Sequence, residues 1–486
     1  MIDLCVSKDI KKRESELFSQ GVDPMSLIEK ASRGLVDNIP KNAKNIAIVV
    51  GGGNNGSDGI CAGLLLLDMG KSADVFTVCS GKTEEWKELF EKFQSVGNVY
   101  SCDGVDFSSY DCILDCVFGI GLSRKVEGKY EEIIHKINNS GKPVISADVP
   151  SGLDCDTGKV MGVCVKADKT VSFSGVKLGY LLEDGSDYVG EVVLVDTGIK
   201  ANPCAQLVDG VSFSKRRNNT HKGSYGKISI IAGSARYVGA SLLSERSAHS
   251  ALRAGAGLVK LCVPRSLKEV YAKRVTESTL FFLPDDGESI LFDKNALDEI
   301  ISTSNVIVVG MGLTSTEEVQ KTVCYILDNA KCEVIVDADG LNALVGKVGS
   351  LKSPYTRIIT PHLGEFARLI GKPISKINPY EDGVSFAREY DVILHLKGCA
   401  SLTCYPSGEV KVTANGSPCM AKGGSGDVLS GIIASFVAQG VENAVESASF
   451  VHGEAGKRAE KTFGEYGVLA RDIADSIPSV MKNYVK

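Results

Sequence analysis

Residues 421–431 read AKGGSGDVLSG: Gly423, Gly424 and Gly426 come just before Asp427, and the chain then turns apolar at Val428, Leu429, Ile432 and Ile433. Free amides at the mouth of a helix, with the helix dipole behind them, accept a phosphoryl group and its developing charge. A carboxylate in that turn repels phosphate. Its chemical use is to take a proton from an attacking hydroxyl while the amides stabilise the group in transfer. The same residues also make an ordinary helix start after a flexible turn, and the loop by itself does not separate the two readings.

Three loops in the first half carry comparable cargo. VVGGGNNGSDG places Gly51, Gly53 and Gly56 after a strand-like run and gathers Asn54, Asn55, Ser57 and Asp58 at its tip. The glycines fit a phosphate-binding turn, but a nicotinamide dehydrogenase also needs an acidic residue at the end of the second strand. That strand, SADVFTVCSG, ends in Cys79 and Ser80, which disfavours hydride transfer. DCVFGIGL offers Asp115 with Gly119 and Gly121, and SADVPSGLD offers Asp148, Ser151 and Asp154. Turn and cap chemistry explains any one such loop. Three together favour a ligand site, because loops of a doubly wound sheet converge on the carboxyl edge of the strands.

Positioning those loops takes a large scaffold. A chain of 486 residues exceeds one ordinary core, so two or three domains are expected. From about residue 44, β-rich runs (NIAIVV, SADVFTV, YDCILDCVFG, KPVISADVP, EVVLVDTG) alternate with helical ones, which predicts a parallel sheet covered by helices. Residues 1–43 read as leading helices. Polar, Pro- and Gly-bearing residues 200–220 predict a linker. The alternation then resumes with GKISIIAGS, NVIVVGMG, CEVIVDADG, TRIITPH and DVILHLKG.

A net charge of -6 supplies no field for nucleic acid or an anionic membrane, so neither partner is expected. No apolar run approaches the roughly 18 residues of a membrane helix, and the charged N-terminus is unlike a signal peptide. A cytoplasmic location is expected. Fifteen cysteines without a C-x-x-C pair predict neither disulfides nor a zinc ribbon, and Cys112 and Cys116 read as reduced core residues.

GGGNNGSDG, DCVFGIGL and ADVPSGLDCDTG resemble the YjeF N-terminal domain, a Rossmann-like epimerase of hydrated NAD(P)H, over most of residues 1–205. The resemblance implies substrate contacts by Asn54, Asn55, Gly56, Ser57 and Asp58, by Gly119, Ile120, Gly121, Leu122, Ser123, Arg124 and Lys125, and by Tyr130 and Asp148. It also implies K+ held by Asn55, Asp115 and Ser151, hard oxygen donors that suit that ion. Asp148 is expected to handle the proton in interconverting R and S hydrates. Two residues depart from the family wording: Ser57 stands for glycine and Ile120 for threonine.

HKGSYGKISIIAGS, RAGAGLVKL, VVGMGL, VDADGLNAL, TPHLGEFARL, LKGCAS, AKGGSGDVLSGIIA and GVLARDI follow the order of the YjeF C-terminal, ribokinase-like dehydratase domain across about residues 212–486. What this implies is a nucleotide site at Lys397, Gly398, Cys399, Ala400 and Ser401, continued by Asn415, Gly423, Gly424, Ser425 and Gly426. Hydrate contacts are implied for Ala240, Gly312 and His362, with Asp427 at the reacting hydroxyl. Met311, Leu363 and Gly340 depart from the family wording. His221, beside Lys222, suits a phosphate or a cap equally.

Hydration at C6 of the nicotinamide ring leaves a hydroxyl that departs poorly until it is phosphorylated. The expected cycle therefore uses ADP or ATP as co-substrate with Mg2+, on NADHX and NADPHX, in an enzyme expected to form homo-oligomers. The rival reading is a vitamin or sugar kinase with a non-catalytic N-terminal binding domain.

Overall fold

The computed structural model describes residues 2–486. The chain divides into two compact units, one of residues 3–205 and one of residues 206–486 with residue 2.

The first unit is built on seven parallel strands. From edge to edge they are Asn98–Ser101, Ser72–Thr77, Asn45–Val50, Cys112–Cys116, Val144–Ala147, Lys169–Phe173 and Glu191–Val195. The central strands are β-branched and buried on both faces, as a covered parallel sheet requires. One face is sealed by the helices Pro24–Asp37, Asn54–Asp68 and Glu84–Val96 through Ile28, Leu35, Ile60, Trp86 and Phe93. The other face carries Lys129–Asn138 through Ile133, Ile134 and Ile137. Successive strands run outward in opposite directions from Asn45–Val50 and Cys112–Cys116, so the loops after Val50 and Cys116 diverge and open a crevice. Gly56 has no room for a side chain there, since a Cβ would stand 2.1 Å from the Gly51 carbonyl oxygen.

The second unit repeats the principle. Seven parallel strands run Thr279–Leu283, Leu258–Pro264, Lys227–Ile231, Val306–Val309, Glu333–Val336, Arg357–Ile359 and Ile393–Leu396. An antiparallel pair, Ser401–Cys404 and Val410–Thr413, extends the sheet. The helices Val238–Arg253, Ser425–Ala438, Ala444–Phe463 and Ala470–Met481 bury one face against Ile228, Ile230, Val308 and Ile335. The switch lies between Lys227–Ile231 and Val306–Val309, where the Gly233 amide donates to the Met311 carbonyl at 2.8 Å.

The α/β architecture agrees with the pattern in the sequence. Strands absent from that pattern include Asn98–Ser101, Lys169–Phe173, Thr279–Leu283 and the antiparallel pair. Ser7–Ser19 and Pro24–Asp37 are helical as expected, but Leu4 and Cys5 ahead of them are extended and pair in parallel with Val176 and Lys177. Among the described residues no disulfide forms, and Cys112 and Cys116 are buried.

Candidate active sites

In the first unit a cleft of about 800 Å³ opens at the switch point. Of the sequence-derived residues it is lined by Asn54, Asn55, Asp58, Gly119, Ile120, Gly121, Leu122, Arg124, Tyr130 and Asp148. Gly56, Ser57, Ser123 and Lys125 are not on its wall. Ser57 is fully buried, and its hydroxyl has no hydrogen-bond partner. Lys125 forms an ion pair with Glu127 at 2.9 Å.

Asp115 ends its strand fully buried. It accepts from the Ser146 hydroxyl at 2.8 Å and from the Ser151 amide and hydroxyl at 2.9 and 2.6 Å. Burial outweighs these bonds and holds its carboxyl above the usual range. Asn55 donates its amide group to the Ala147 carbonyl at 3.0 Å, which turns its oxygen toward Gly119. Asp115 and Ser151 thus share one hydrogen-bonded cluster with Ser146, and Asn55 is anchored to Ala147, the next residue along that strand.

Asp148 follows the Val144–Ala147 strand in the left-handed region at φ 62. The fully buried Lys177 pairs with it, and Glu14, from the helix Ser7–Ser19, lines the same cleft. Sequence reasoning found neither residue. A lysine inside the apolar run SGVKLGY was the available signal for Lys177; Glu14 sits in an ordinary charged helix.

In the second unit Asp427 lies half-buried in the first turn of Ser425–Ala438, whose N-cap Gly424 adopts φ 88. Its carboxyl is pushed up to about 7, chiefly by burial and then by Asp337, against the pull of the Lys397 ammonium. Asp337, at the end of Glu333–Val336, is 1% exposed and binds Lys397 Nζ at 2.7 Å and the Ser430 hydroxyl at 2.6 Å. Burial alone would raise it, but Lys397 and the hydroxyls of Ser430 and Thr360 hold it below the usual carboxylate range. Lys397 in turn stays charged although burial opposes the ammonium, because Asp337, Glu365 and Asp427 outweigh it. A Cβ on Gly426 would lie 3.5 Å from Lys397 Nζ, so loop, lysine and both aspartates form one cluster. Sequence reasoning gave Asp337 no role; its place at a strand end in VDADG, like that of Asp115, was the signal.

Ala240 and Gly312 adjoin each other, since a Cβ on Gly312 would stand 3.5 Å from that of Ala240. Leu243, one turn on from Ala240, reaches Gly423 and Gly424. His362 caps the helix Leu363–Ile370: its Nδ1 accepts from the Gly364 amide at 3.0 Å, so the exposed Nε2 carries any proton the ring presents. Lys397 donates its amide to the Pro361 carbonyl at 2.8 Å, which joins the His362 loop to the lysine. Ser401 starts the antiparallel pair, with Gly398, exposed Cys399 and buried Ala400 in the turn before it. Asn415 is occupied by the Phe450 carbonyl and Glu454, and Ser425 by His452 at 3.3 Å. His452 and His395 are buried, and burial lowers them to about 4 and about 3, so both are neutral packing groups. His221 is a helix cap, accepting from the Gly223 amide at 3.1 Å.

Residues 228–479 match the family described as NAD(P)H-hydrate dehydratase, and residues 25–179 match the one described as YjeF-related protein N-terminus. The chain is 32% identical, over 95% of its length and 91% of the relative's, to a bifunctional NAD(P)H-hydrate repair enzyme of Moorella thermoacetica. Among solved structures it is similar to a ribokinase-like superfamily protein from Enterococcus faecalis, with a TM-score of 0.51 at 23% identity over 58% of this chain and 97% of that one. It is also similar to an ADP/ATP-dependent NAD(P)H-hydrate dehydratase from Bacillus subtilis co-crystallised with ATP/Mg2+. There the TM-score is 0.48 at 28% identity over 56% of this chain and 95% of that one.

Proposed function

This chain belongs to the family of bifunctional NAD(P)H-hydrate repair enzymes, and from that premise we propose how its two sites divide the work. The N-terminal half interconverts the R and S hydrates of NADH and NADPH, and the C-terminal half dehydrates the S form back to the dihydronicotinamide.

In the C-terminal half Asp427 takes the proton of the ring hydroxyl as a phosphoryl group arrives from ADP or ATP. The amides of Gly423, Gly424, Ser425 and Gly426 receive the transferring charge at the helix mouth. Lys397 adds a fixed positive charge, with its ammonium aimed by Asp337. Gly398, Cys399, Ala400, Ser401 and Asn415 hold the rest of the nucleotide, and Ala240, Gly312 and His362 hold the hydrate. Departure of phosphate from C6, assisted by the N1 electron pair, and loss of a proton from C5 to solvent then restore the C5=C6 bond of the dihydronicotinamide. Mg2+ would accompany the nucleotide and supply countercharge to its phosphates.

In the N-terminal half Asn54, Asn55, Asp58, Gly119, Ile120, Gly121, Leu122, Arg124, Tyr130 and Asp148 hold the hydrate against the cleft wall, with Asp148 at the reacting centre. The residues around Asp115 fit a potassium ion: all their donors are oxygens, and the Asn55 oxygen is turned away from its own amide's partner. Asn55, Asp115 and Ser151 would hold it, and it would supply a fixed positive charge beside the substrate.

The observation that carries this reading is the half-buried Asp427, titrating near neutral pH in the first turn of a glycine-led helix. The test is incubation of separated R and S hydrates with ADP or ATP and chromatography of the products. Regenerated NADH or NADPH with free phosphate is the expected result. A stable phosphorylated product would make the protein a small-molecule kinase instead.

A further inference from the structure

Two acids share the N-terminal cleft in opposite surroundings. Lys177 directs its donors to Asp148 Oδ1, to the Ser172 hydroxyl at 3.0 Å and to the Phe173 carbonyl at 2.6 Å, with no solvent exposure. The Phe173 amide donates to the same Asp148 oxygen at 3.0 Å, and the Tyr180 hydroxyl holds the Asp148 backbone carbonyl. One carboxylate oxygen is therefore committed to the protein. The other, Oδ2, faces Gly119, where a Cβ would stand 3.6 Å away. Asp58 is 8% exposed and lines the same cleft, yet among the described residues its side chain has no hydrogen-bond or ion-pair partner.

We propose that Asp58 is the proton donor and Asp148 the proton acceptor of the R/S exchange, and that Lys177 is the positioning residue that fixes which of the two starts with the proton. This rests on the reading of the N-terminal half as the epimerase. Burial first, then the facing charges of Asp148 and Glu14, hold the Asp58 carboxyl well above the carboxylate range. Its other titratable neighbours are the thiols of Cys61 and Cys116. Glu14, raised chiefly by burial and then by Asp148, is opposed by Lys177 and Lys11. A buried acid without a cation and an acid bonded to a buried ammonium are suited to opposite roles.

The hydrate is a hemiaminal, with a hydroxyl on the carbon bonded to the ring nitrogen, so a balanced exchange needs one acceptor and one donor. Asp148 Oδ2 takes the hydroxyl proton, the oxygen pair forms C6=O, and the C6–N1 pair leaves to nitrogen, where Asp58 supplies a proton. Rotation about C5–C6 in the open aldehyde presents the opposite face. The N1 pair then adds to C6, Asp58 recovers the nitrogen's proton and Asp148 returns its own to oxygen. The ring closes inverted, with both acids restored and no co-reactant used.

The test uses the full chain, so that dehydration of the S hydrate reports on the untouched half. Asp58→Asn keeps the side-chain shape; it is expected to lower R-hydrate consumption at least about 100-fold while leaving S-hydrate dehydration unchanged. Lys177→Met is expected to lower kcat of exchange more than it changes KM and to move the acid limb of its pH profile upward, with Lys177→Arg restoring part of the rate. Exchange in Asp58→Asn at the wild-type rate would overturn the proposal, as would a pH profile of Lys177→Met that superimposes on the wild type. If thermal unfolding shows Lys177→Met to be unfolded, Asp58→Asn and Lys177→Arg decide. A wild-type chain that consumes S but never R would instead sink the epimerase reading itself.

Discussion

Each half of the molecule contains a buried aspartate tied to a lysine and a second aspartate left without one: Asp148 with Lys177 beside Asp58, and Asp337 with Lys397 beside Asp427. The arrangements differ in which member faces the reaction. In the N-terminal cleft the lysine-bound acid has an oxygen turned to the ligand space, whereas in the C-terminal site it lies behind the loop and the unbound acid stands at the helix mouth. A lysine partner can thus orient a base toward the ligand or, one layer back, fix a carboxylate that raises the proton affinity of its neighbour.

The strongest break in that comparison comes from the acids themselves. Asp427→Asn should lower dehydration of the S hydrate by about 10²- to 10⁴-fold and leave R/S exchange intact, and Asp148→Asn should do the reverse, both read by chromatography of separated hydrates. Next in size is Lys397→Met, which leaves Asp337 buried without its cation and is expected to destabilise the C-terminal unit by about 3–5 kcal/mol in denaturant unfolding. Gly56→Ala sets a Cβ against the Gly51 carbonyl and should destabilise the N-terminal unit by about 1–3 kcal/mol, with exchange lost before dehydration on heating.

The smallest effect sharpens the comparison through pH. Asp427 must be ionised to accept a proton, so dehydration should rise with pH through about 7 and fall below it. Asp337→Asn removes the like charge that raises Asp427 and leaves Lys397 unneutralised, and both changes lower its pKa. The acid limb of the dehydration profile should then move to lower pH; a limb that stays in place would show that Asp337 has no electrostatic hold on the base.

The sheets and their carboxyl-edge loops were legible because glycine and aspartate at strand ends are local signals: Asn54–Asp58, Asp115, Asp148 and Gly423–Asp427 all stand out within a few residues of sequence. Their partners were not legible. Lys177 meets Asp148 across 29 residues and Lys397 meets Asp337 across 60, so only the folded sheet shows which cation serves which acid. Strand Lys169–Phe173 escaped notice because KTVSF is short and polar at its start, and Ser401–Cys404 because it returns antiparallel after a run of parallel strands. His362, whose ligand contact the resemblance implied, is also a helix cap, a role its type does not announce.

The left-handed backbone at residue 148 also restricts which variants can arise there. That region of conformational space penalises branched and bulky side chains and tolerates mainly glycine, asparagine and aspartate. A saturation library at this codon should therefore yield soluble protein from few members, and genetic drift away from aspartate has only two easy exits, neither of which carries a negative charge.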